Sequence, residues 1–349
     1  MSGISFEPIW ADSLGAKTTC TLVETPEIKV LIDPGVAVMQ PSFPASDTKK
    51  ASWRSEAWKS VKEASRKADV VVISHYHYDH FTDFDSELYS GKLKKKKNPN
   101  EYINNSQRER ALNFFENICQ NFGEVELEDV MSEKVLENYG NPLDELPHAR
   151  DMDFGDYNSR REELIQKWLD LYWKRTENWN SYKEIPELDF EDVTVKFPEG
   201  GEIEFGSTKL KFSGPLFHGI ELSKTGWVFS SEIKRGKEMF VHSSDLQGPT
   251  VEDYADWLIE KDPDYLYLDG PATYLLGFML NQTNLDRAID NASRIIEGTS
   301  SDLILYDHHL TREKKFRERT EKVWETANRT DSRVLTVSEY KGKEPVVLS

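Results

Sequence analysis

The most constraining feature of the chain is a short apolar run that leads directly into a cluster of metal-binding side chains. The run Val70–Ile73 is β-branched throughout, which predicts a buried parallel strand. Residues 75–80 follow with the sequence His-Tyr-His-Tyr-Asp-His, which places four potential ligands within six positions. The loop after a parallel strand is where open α/β sheets carry functional sites. Imidazole and carboxylate ligands at this density favour zinc or a neighbouring first-row metal.

Length and composition restrict the class of protein and its partners. The 349 residues suit one α/β domain with an insertion, or two domains. A formal net charge of −18 makes a nucleic-acid partner unfavourable, because such a surface repels phosphate backbones. The two cysteines cannot build a disulfide framework, no secretory signal opens the sequence, and no stretch approaches the roughly 20 apolar residues of a membrane span. We therefore expect a cytoplasmic protein that acts on a small molecule, and a homo-oligomer is compatible with the sequence.

Hydrophobic periodicity divides the chain into strands and helices. Strands are predicted at 3–10, 17–33, 70–74, 193–198, 202–205, 208–213, 226–233, 238–243, 264–269, 302–306 and 333–337. Helices are predicted near 50–67, 105–119, 250–261, 284–297 and 310–327, with Gly298 as a C-terminal stop for the fourth. Residues 124–190 lack strand periodicity and contain one clear helix, which starts at a capping box of Ser159 and Glu162. We interpret this acidic and aromatic region as a helical insertion in a single domain spanning 1–349.

The segment 75–80 resembles the H-x-H-x-D-H signature of the metallo-β-lactamase superfamily. The resemblance implies a four-layer αββα sandwich, here with the helical insertion, and a site for two divalent metal ions that activates water. Members with a redox di-iron site usually carry Glu at the second position. His77 occupies it here, so a zinc hydrolase is favoured, with manganese or iron as alternatives.

A narrower resemblance extends over most of the chain outside the insertion. It points to a small, uncharacterised archaeal family of predicted metal-dependent hydrolases within the superfamily. The segments that carry it are 12–15, 32–36, 73–80, 104–107 with 110–111, 244–249, 269–271 and 307–309. The long insertion departs from the family's shorter pattern, so the resemblance implies nothing about how a substrate reaches the site.

The superfamily resemblance also implies ligands later in the chain, each after a strand. Three candidates stand in the implied order: His218, Asp245 and His308. By resemblance, one metal would be bound by His75, His77 and His218, and the other by Asp79, His80 and His308. Asp245 would bridge the two metals, and Asp79 would also orient the nucleophile as the catalytic residue.

Several of these assignments have rivals. His309 competes with His308 for the last ligand position, and we favour His308 because neighbours on an extended segment point in opposite directions. Asp245 has an alternative role as a cap of the following helix. Outside the ligands, the candidates for supporting the metals or contacting substrate are Asp33, Asn104, Ser106, Gln107, Arg110, Asp269 and His309.

Two groups of residues, the start of the helix predicted at 105–119 and a lysine run, suggest that the protein recognises an anion. Asn104, Ser106, Gln107 and Arg110 open the first helix after the metal loop, where a helix N-terminus and a guanidinium together favour an anion. The lysines at 92 and 94–97 would attract phosphate, although a lysine run is often merely solvated.

The function that these observations favour is a metal-dependent hydrolase, which uses a metal-activated water on a small ester, lactone, thioester or phosphoester. One alternative is a nuclease that cleaves RNA or DNA phosphodiesters, which the net charge disfavours. The other is a non-catalytic, metal-stabilised binding protein, which the full set of ligands disfavours.

Overall fold

The computed structural model describes residues 3–82 and 84–349 of the chain. Within those ranges the strands are, in chain order, β1 (Ser5–Pro8), β2 (Thr21–Glu24), β3 (Lys29–Ile32), β4 (Val70–Ile73), β5 (Lys92–Lys96), β6 (Ser132–Glu133), β7 (Lys183–Glu184), β8 (Leu188–Phe190), β9 (Val193–Lys196), β10 (Glu202–Phe205), β11 (Thr208–Phe212), β12 (Leu216–Phe217), β13 (Trp227–Val228), β14 (Ser231–Arg235), β15 (Glu238–His242), β16 (Tyr265–Asp269), β17 (Leu303–Asp307) and β18 (Val334–Leu335). The α-helices are α1 (Asp47–Ser65), α2 (Ser86–Tyr89), α3 (Asn105–Ile118), α4 (Leu127–Val130), α5 (Pro147–Asp151), α6 (Asn158–Ser181), α7 (Glu252–Lys261), α8 (Gln282–Gly298), α9 (Phe316–Arg319), α10 (Glu321–Thr330) and α11 (Val337–Tyr340). None of the helices in these ranges is long and apolar enough to cross a membrane.

Two seven-stranded sheets organise the molecule. The first has the order β1-β2-β3-β4-β5-β9-β8, and the second has the order β10-β11-β14-β15-β16-β17-β18. In the first sheet β3, β4, β5 and β9 are parallel neighbours, and in the second β15 to β18 are parallel. Parallel strands bring their C-terminal ends to one edge of a sheet, so the loops that follow them gather there.

Three apolar cores separate the layers of the fold. Val72 of the first sheet and Leu305 of the second belong to the core between the sheets. Val71, the neighbour of Val72, points the other way and packs with α1 and α3. Ile304 does the same on the second sheet, where it packs with α8 and α10. The layers are therefore helix, sheet, sheet and helix, which confirms the predicted αββα sandwich.

Most predicted elements are observed with ends shifted by a few residues. Two predicted elements are each divided in two, and two predicted helix-end signals are wrong. The predicted 17–33 stretch is a hairpin of β2 and β3, and the predicted 310–327 helix is divided into α9 and α10. The capping box at Ser159 is wrong: α6 starts at Asn158, and no side chain caps it. Asn158 instead exchanges hydrogen bonds with the preceding Asp153–Phe154 turn, and the helix starts two residues earlier than a cap at Ser159 implies. Gly298 is the last residue of α8 rather than a stop beyond it.

The insertion is packed against the catalytic fold through aromatic side chains. Trp179 of α6 contacts Trp227 and Tyr102, with ring centroids 5.3 and 5.4 Å apart. Its indole nitrogen donates a hydrogen bond of 2.9 Å to the Ile103 carbonyl. The region ends at β8, which pairs with β9 at the edge of the first sheet. The insertion therefore covers the hairpin of β12 and β13 rather than standing apart from the sandwich.

The lysine run forms strand β5 inside the first sheet, so the expectation of a solvated or phosphate-attracting run is wrong. Lys94 and Lys96 are fully buried. The Lys96 ammonium lies 3.1 Å from the centroid of the Phe114 ring, on the face covered by α3. Burial, with the charge of Lys92 as a second cause, lowers the pKa of Lys94 to about 7. These side chains offer no basic surface for a nucleic acid.

Candidate metal centre

The candidate ligands meet where the parallel strands of both sheets end. The segment that contains His75 and His80 follows β4, and Asp245 follows β15. His308 follows β17 directly. The two strand edges are joined across the sandwich by Ser244, whose hydroxyl donates to the Ser74 hydroxyl at 2.7 Å. One edge of each sheet thus contributes to a single buried cluster.

Asp245 lies at the centre of this cluster. Its Oδ2 is 3.0 Å from His218 Nε2 and 3.4 Å from His75 Nε2. Its Oδ1 is 2.9 Å from His80 Nε2 and 3.4 Å from His308 Nε2. Neither oxygen of this buried carboxylate accepts a hydrogen bond from the described residues. A buried carboxylate without hydrogen bonds is costly unless a cation balances it.

The other ring nitrogens show why the imidazoles do not satisfy Asp245. His80 Nδ1 donates to Asp33 at 2.8 Å, and His308 Nδ1 donates to Asp12 at 3.1 Å. A neutral histidine that donates from Nδ1 keeps a lone pair on Nε2, the form that binds metal. In the neutral form these Nε2 lone pairs face the carboxylate, an arrangement that is repulsive unless a cation lies between them. Without a metal ion that cation is a proton: burial opposes it, but the charges of Asp245 and Asp33 raise the pKa of His80 well above its ordinary value. The donor set therefore fits divalent metal ions.

The donor atoms fall into three overlapping groups, and within each group the atoms lie within 4.8 Å of one another. We call the group of His75, His77, His218 and Asp245 the first subsite. The group of Asp79, His80 and His308 is the second subsite. All seven sequence-predicted ligands are thus brought together, and the third group, Asp245, Asp269, His308 and His309, adds two residues outside the predicted ligand set. Asp245 is not a helix cap, because α7 starts at Glu252 with Val251 as its capping residue.

Neutral groups support the histidines of the first subsite. The Ser74 hydroxyl lies 3.0 Å from His75 Nδ1. The Gln107 amide nitrogen is 3.3 Å from His77 Nε2 and is held in place by a 2.8 Å hydrogen bond to the Thr225 carbonyl. The Gln247 amide nitrogen lies 3.4 Å from His218 Nδ1. These contacts orient the rings with hydroxyl and amide groups alone.

Charged groups support the second subsite. Besides holding His80, Asp33 accepts hydrogen bonds of 2.7 Å from the amide and the hydroxyl of Ser74. Burial alone would raise the pKa of Asp33, but the charge and hydrogen bond of His80 hold this pKa below its ordinary value. Arg312 donates to Asp79 Oδ2 at 3.1 Å and to Asp12. Burial likewise favours a higher pKa for Asp79, and the charges of His80 and Arg312 hold it well below its ordinary value.

The premise of an extended segment at His308 and His309 is wrong. Residues His308–Arg312 form a tight turn in which His308 has a φ of 42°. Both rings consequently point into the cluster, with centroids 4.3 Å apart. His309 Nε2 lies 4.0 Å from Asp245 Oδ2, and its Nδ1 donates to Asp269 at 3.0 Å. Asp269 thus holds a site histidine, and His309 can reach an ion beside Asp245 together with His308.

The polar start of α3 is used for structural bonds rather than for open anion recognition. Asn104 caps the helix by accepting from the Gln107 amide at 2.9 Å, and its own side-chain amide donates to the Thr225 carbonyl at 2.8 Å. Arg110 donates to the Tyr76 carbonyl at 2.8 Å. Ser106 is exposed on the helix surface. Gln107 alone among the four contacts a candidate ligand.

Two buried residues of the site were missed from the sequence. Arg312 joins Asp12 and Asp79 and lies 3.4 Å from His308 Nε2. It falls in a segment that was predicted as a plain charged helix, and its spacing of four residues from His308 was the available signal. Asp12 lay in a segment that carried the family resemblance but was given no role.

Comparisons with known proteins agree with this geometry. The family model described as the metallo-beta-lactamase superfamily matches residues 15–220. A UPF0282 protein of Methanopyrus kandleri is 32% identical over 98% of this chain and 95% of its own length. A UPF0282 protein of Korarchaeum cryptofilum is 29% identical over 96% of this chain and 89% of its own length. A UPF0282 protein of Pyrococcus horikoshii is 30% identical, with coverage of 98% and 89%.

Proposed function

Because the chain belongs to the metallo-β-lactamase superfamily and, within it, to the UPF0282 family, we propose that it is a metal-dependent hydrolase with two divalent ions. Zinc is the favoured metal, as the ligands are mainly imidazoles. The proposed substrate is a small ester, lactone, thioester or phosphoester. The proposed ligands are His75, His77, Asp79, His80, His218, Asp245 and His308. We also propose a single domain, in which 124–190 is an insertion.

The roles of the residues follow from their contacts. Metal ions in the two subsites would lower the pKa of water towards neutrality and polarise the attacked carbonyl or phosphoryl oxygen. Asp79 is the proposed catalytic residue: Arg312 holds its Oδ2, which leaves Oδ1 to orient the attacking water. Asp245 would lie between the ions and balance their repulsion. Asp33, Asp12 and Asp269 would fix the orientation of the histidines.

One observation carries the proposal. Four imidazole Nε2 atoms lie 2.9–3.4 Å from a buried carboxylate that accepts no hydrogen bond among the described residues. A protein that bound a partner through its surface would have no need of such a cluster, since the desolvated charge costs stability. The same cluster provides what hydrolysis by activated water requires.

Metal-dependent turnover tests the proposal. The full chain is loaded with zinc and assayed on p-nitrophenyl esters, a lactone, a thioester and p-nitrophenyl phosphate. We expect hydrolysis of at least one substrate, its loss after dialysis against a chelator, and its return when zinc is added back. Turnover that survives complete metal removal contradicts the proposal. So does a metal-loaded protein that hydrolyses none of these compounds.

A further inference from the structure

The walls of the cavity above the candidate metal centre constrain the substrate. A cavity of ≈ 280 Å³ opens onto His77, Asp79, His218 and His309. Besides the candidate ligands it is lined by an aliphatic set, Ile220, Ala272, Leu275, Met279 and Leu280, and by a polar set, Ser223, Thr225, Gln247, Tyr274, Asn284 and Arg312. Four of the five aliphatic residues belong to one segment of wall, 272–280. Apolar wall of this kind stabilises an apolar group by burying it, and it penalises a charged group that enters without a partner.

The cavity offers no free cation to an anionic substrate. Apart from its histidines, Arg312 is the single cationic residue among the described residues that line it. Arg312 is already paired with Asp12 and Asp79, and its remaining nitrogen donates to the Tyr274 hydroxyl at 3.2 Å. Phosphate recognition relies on Lys or Arg groups that are available for charge-assisted hydrogen bonds. A phosphoester would therefore find no protein cation beyond the metals.

An apolar loop continues the aliphatic wall out to solvent. Phe278 is 84% exposed and Met279 is 69% exposed, although Met279 also lines the cavity. The loop is internally bonded: the amides of Phe278 and Met279 both donate to the Leu275 carbonyl at 3.0 Å, and Gly277 donates to the Leu280 carbonyl at 2.8 Å. Such a loop is ordered before a ligand arrives, so binding requires little further ordering. Exposed large apolar side chains at the mouth of a cavity indicate an apolar ligand.

We infer that the substrate is a carboxylic ester or lactone with an uncharged aliphatic chain, which lies along Leu275, Met279 and Phe278. This inference rests on the proposed hydrolase function and narrows it by excluding phosphoesters. The carbonyl group would lie at the metal centre and the chain would run from the cavity to the loop. Hydrolysis breaks the bond between the acyl carbon and the ester oxygen. The oxygen of water joins the acyl carbon to give the acid, and the departing oxygen takes a proton to give the alcohol.

Chain-length dependence tests the inference. The zinc-loaded full chain is assayed on p-nitrophenyl acetate, butyrate, hexanoate and octanoate, and on p-nitrophenyl phosphate and bis(p-nitrophenyl) phosphate. We expect kcat/KM to rise roughly two- to fourfold per added methylene until the chain passes the loop, as expected for partial to full burial of each group. Both phosphoesters should be hydrolysed more slowly than every carboxylic ester.

Variants of the loop test whether the aliphatic chain of the substrate lies along Phe278 and Met279. Phe278→Ser and Met279→Ser should lower the ratio of kcat/KM for octanoate over acetate by about tenfold or more, the value expected when a few buried methylenes lose contact. Leu136→Ser is the matched control, because Leu136 is 76% exposed and lies in the insertion. It should keep the wild-type ratio.

The outcomes separate the inference from the proposed function. If kcat/KM is flat with chain length, or if a phosphoester is the faster substrate, the inference is overturned and the hydrolase proposal stands. The inference is equally overturned if Leu136→Ser changes the ratio as much as the loop variants do. If the metal-loaded protein hydrolyses nothing, the proposed function fails as well.

Discussion

The two proposed metal subsites use the same kinds of candidate ligand, but their histidines are supported by different groups. In the first subsite, a hydroxyl and two carboxamides contact the ligand histidines at 3.0–3.4 Å. In the second subsite, carboxylates hold His80 and His308 at 2.8 and 3.1 Å, and Arg312 holds Asp79. A carboxylate that accepts from Nδ1 makes the ligand nitrogen more basic and fixes its orientation. We therefore propose that the second subsite binds its ion more tightly and that the first subsite releases its ion more easily.

The difference also assigns separate tasks to the subsites. The first subsite borders the cavity through two histidines, His77 and His218. The second subsite borders it through Asp79, whereas its His80 and His308 are fully buried. An ion beside the cavity, whose histidine ligands are supported by neutral groups, would be suited to exchanging a ligand for the substrate. A tightly held ion behind it is suited to keep the cluster assembled.

The largest effect is expected for Asp245→Ala, because Asp245 contacts histidines of both subsites. We expect metal affinity to fall by more than the roughly 10- to 100-fold that loss of a supporting group costs, and hydrolysis to be lost. The fold should survive, as judged by circular dichroism, with metal content measured by elemental analysis. The exposed Asp170→Ala is the control. An Asp245→Ala protein with full metal content and full activity would remove Asp245 from the site.

The second-largest effect is the difference in zinc binding that we expect between His308→Ala and His309→Ala. His308 contacts Asp12, His80 and Arg312, so its loss should empty the second subsite. His309 reaches Asp245 only at 4.0 Å, and its loss should leave most of the metal bound. Equilibrium dialysis with zinc measures both proteins. The reverse pattern would assign the last ligand to His309 and leave the proposal of two ions intact.

Supporting groups give the direct test of the asymmetry. Asp33→Asn should weaken the second subsite by roughly 10- to 100-fold. Gln247→Met, of similar volume, should weaken the first subsite by less than about tenfold, because it removes only an amide contact at 3.4 Å. Competition with a chromophoric chelator resolves the two affinities. Equal losses in the two variants would contradict the idea that carboxylate support sets the order of binding.

The smallest effects concern buried charge away from the metals. Lys97 is paired with Glu199 at 2.6 Å, whereas Lys96 has no hydrogen-bond partner among the described residues. Lys97→Met leaves Glu199 unpaired and should lower the free energy of unfolding by about 3 kcal/mol. Lys96→Met should change it by less than about 1 kcal/mol, or raise it, because no hydrogen bond is lost and removal of a buried charge offsets the loss of its ring contacts. Urea denaturation of both variants checks the contrast, which a larger loss for Lys96→Met would reverse.

The sequence predicted those parts of the site that are marked by local pattern. The predicted ligands after β4, β15 and β17 follow parallel strands, which gather such residues at one edge of a sheet. His218 follows β12, which pairs antiparallel with β13 outside the two large sheets. The layer order could be predicted for the same reason, since the runs of β4 and β17, which are mainly apolar, are buried on both faces. The superfamily resemblance added the grouping of the ligands, which no spacing along the chain contains.

The features that were missed depend on contacts between distant segments. Asp12 and Arg312 are 300 residues apart and meet only in the folded chain. The inward turn of His309 depends on a positive φ at His308, and the modest enrichment of histidine at positive φ is too weak to predict it. The lysine run was expected at the surface because lysine is rarely buried, but β5 lies between β4 and β9 in the sheet. Tertiary packing decided all three.

We propose that this chain holds two ions with unequal support, and anomalous diffraction at the zinc edge tests this proposal most directly. Crystals are grown from apoprotein with one and with two equivalents of zinc. We predict that one equivalent places the ion among Asp79, His80 and His308, and that two equivalents add a second ion among His75, His77 and His218. A first ion among His75, His77 and His218, or a single ion at saturating zinc, would contradict this account.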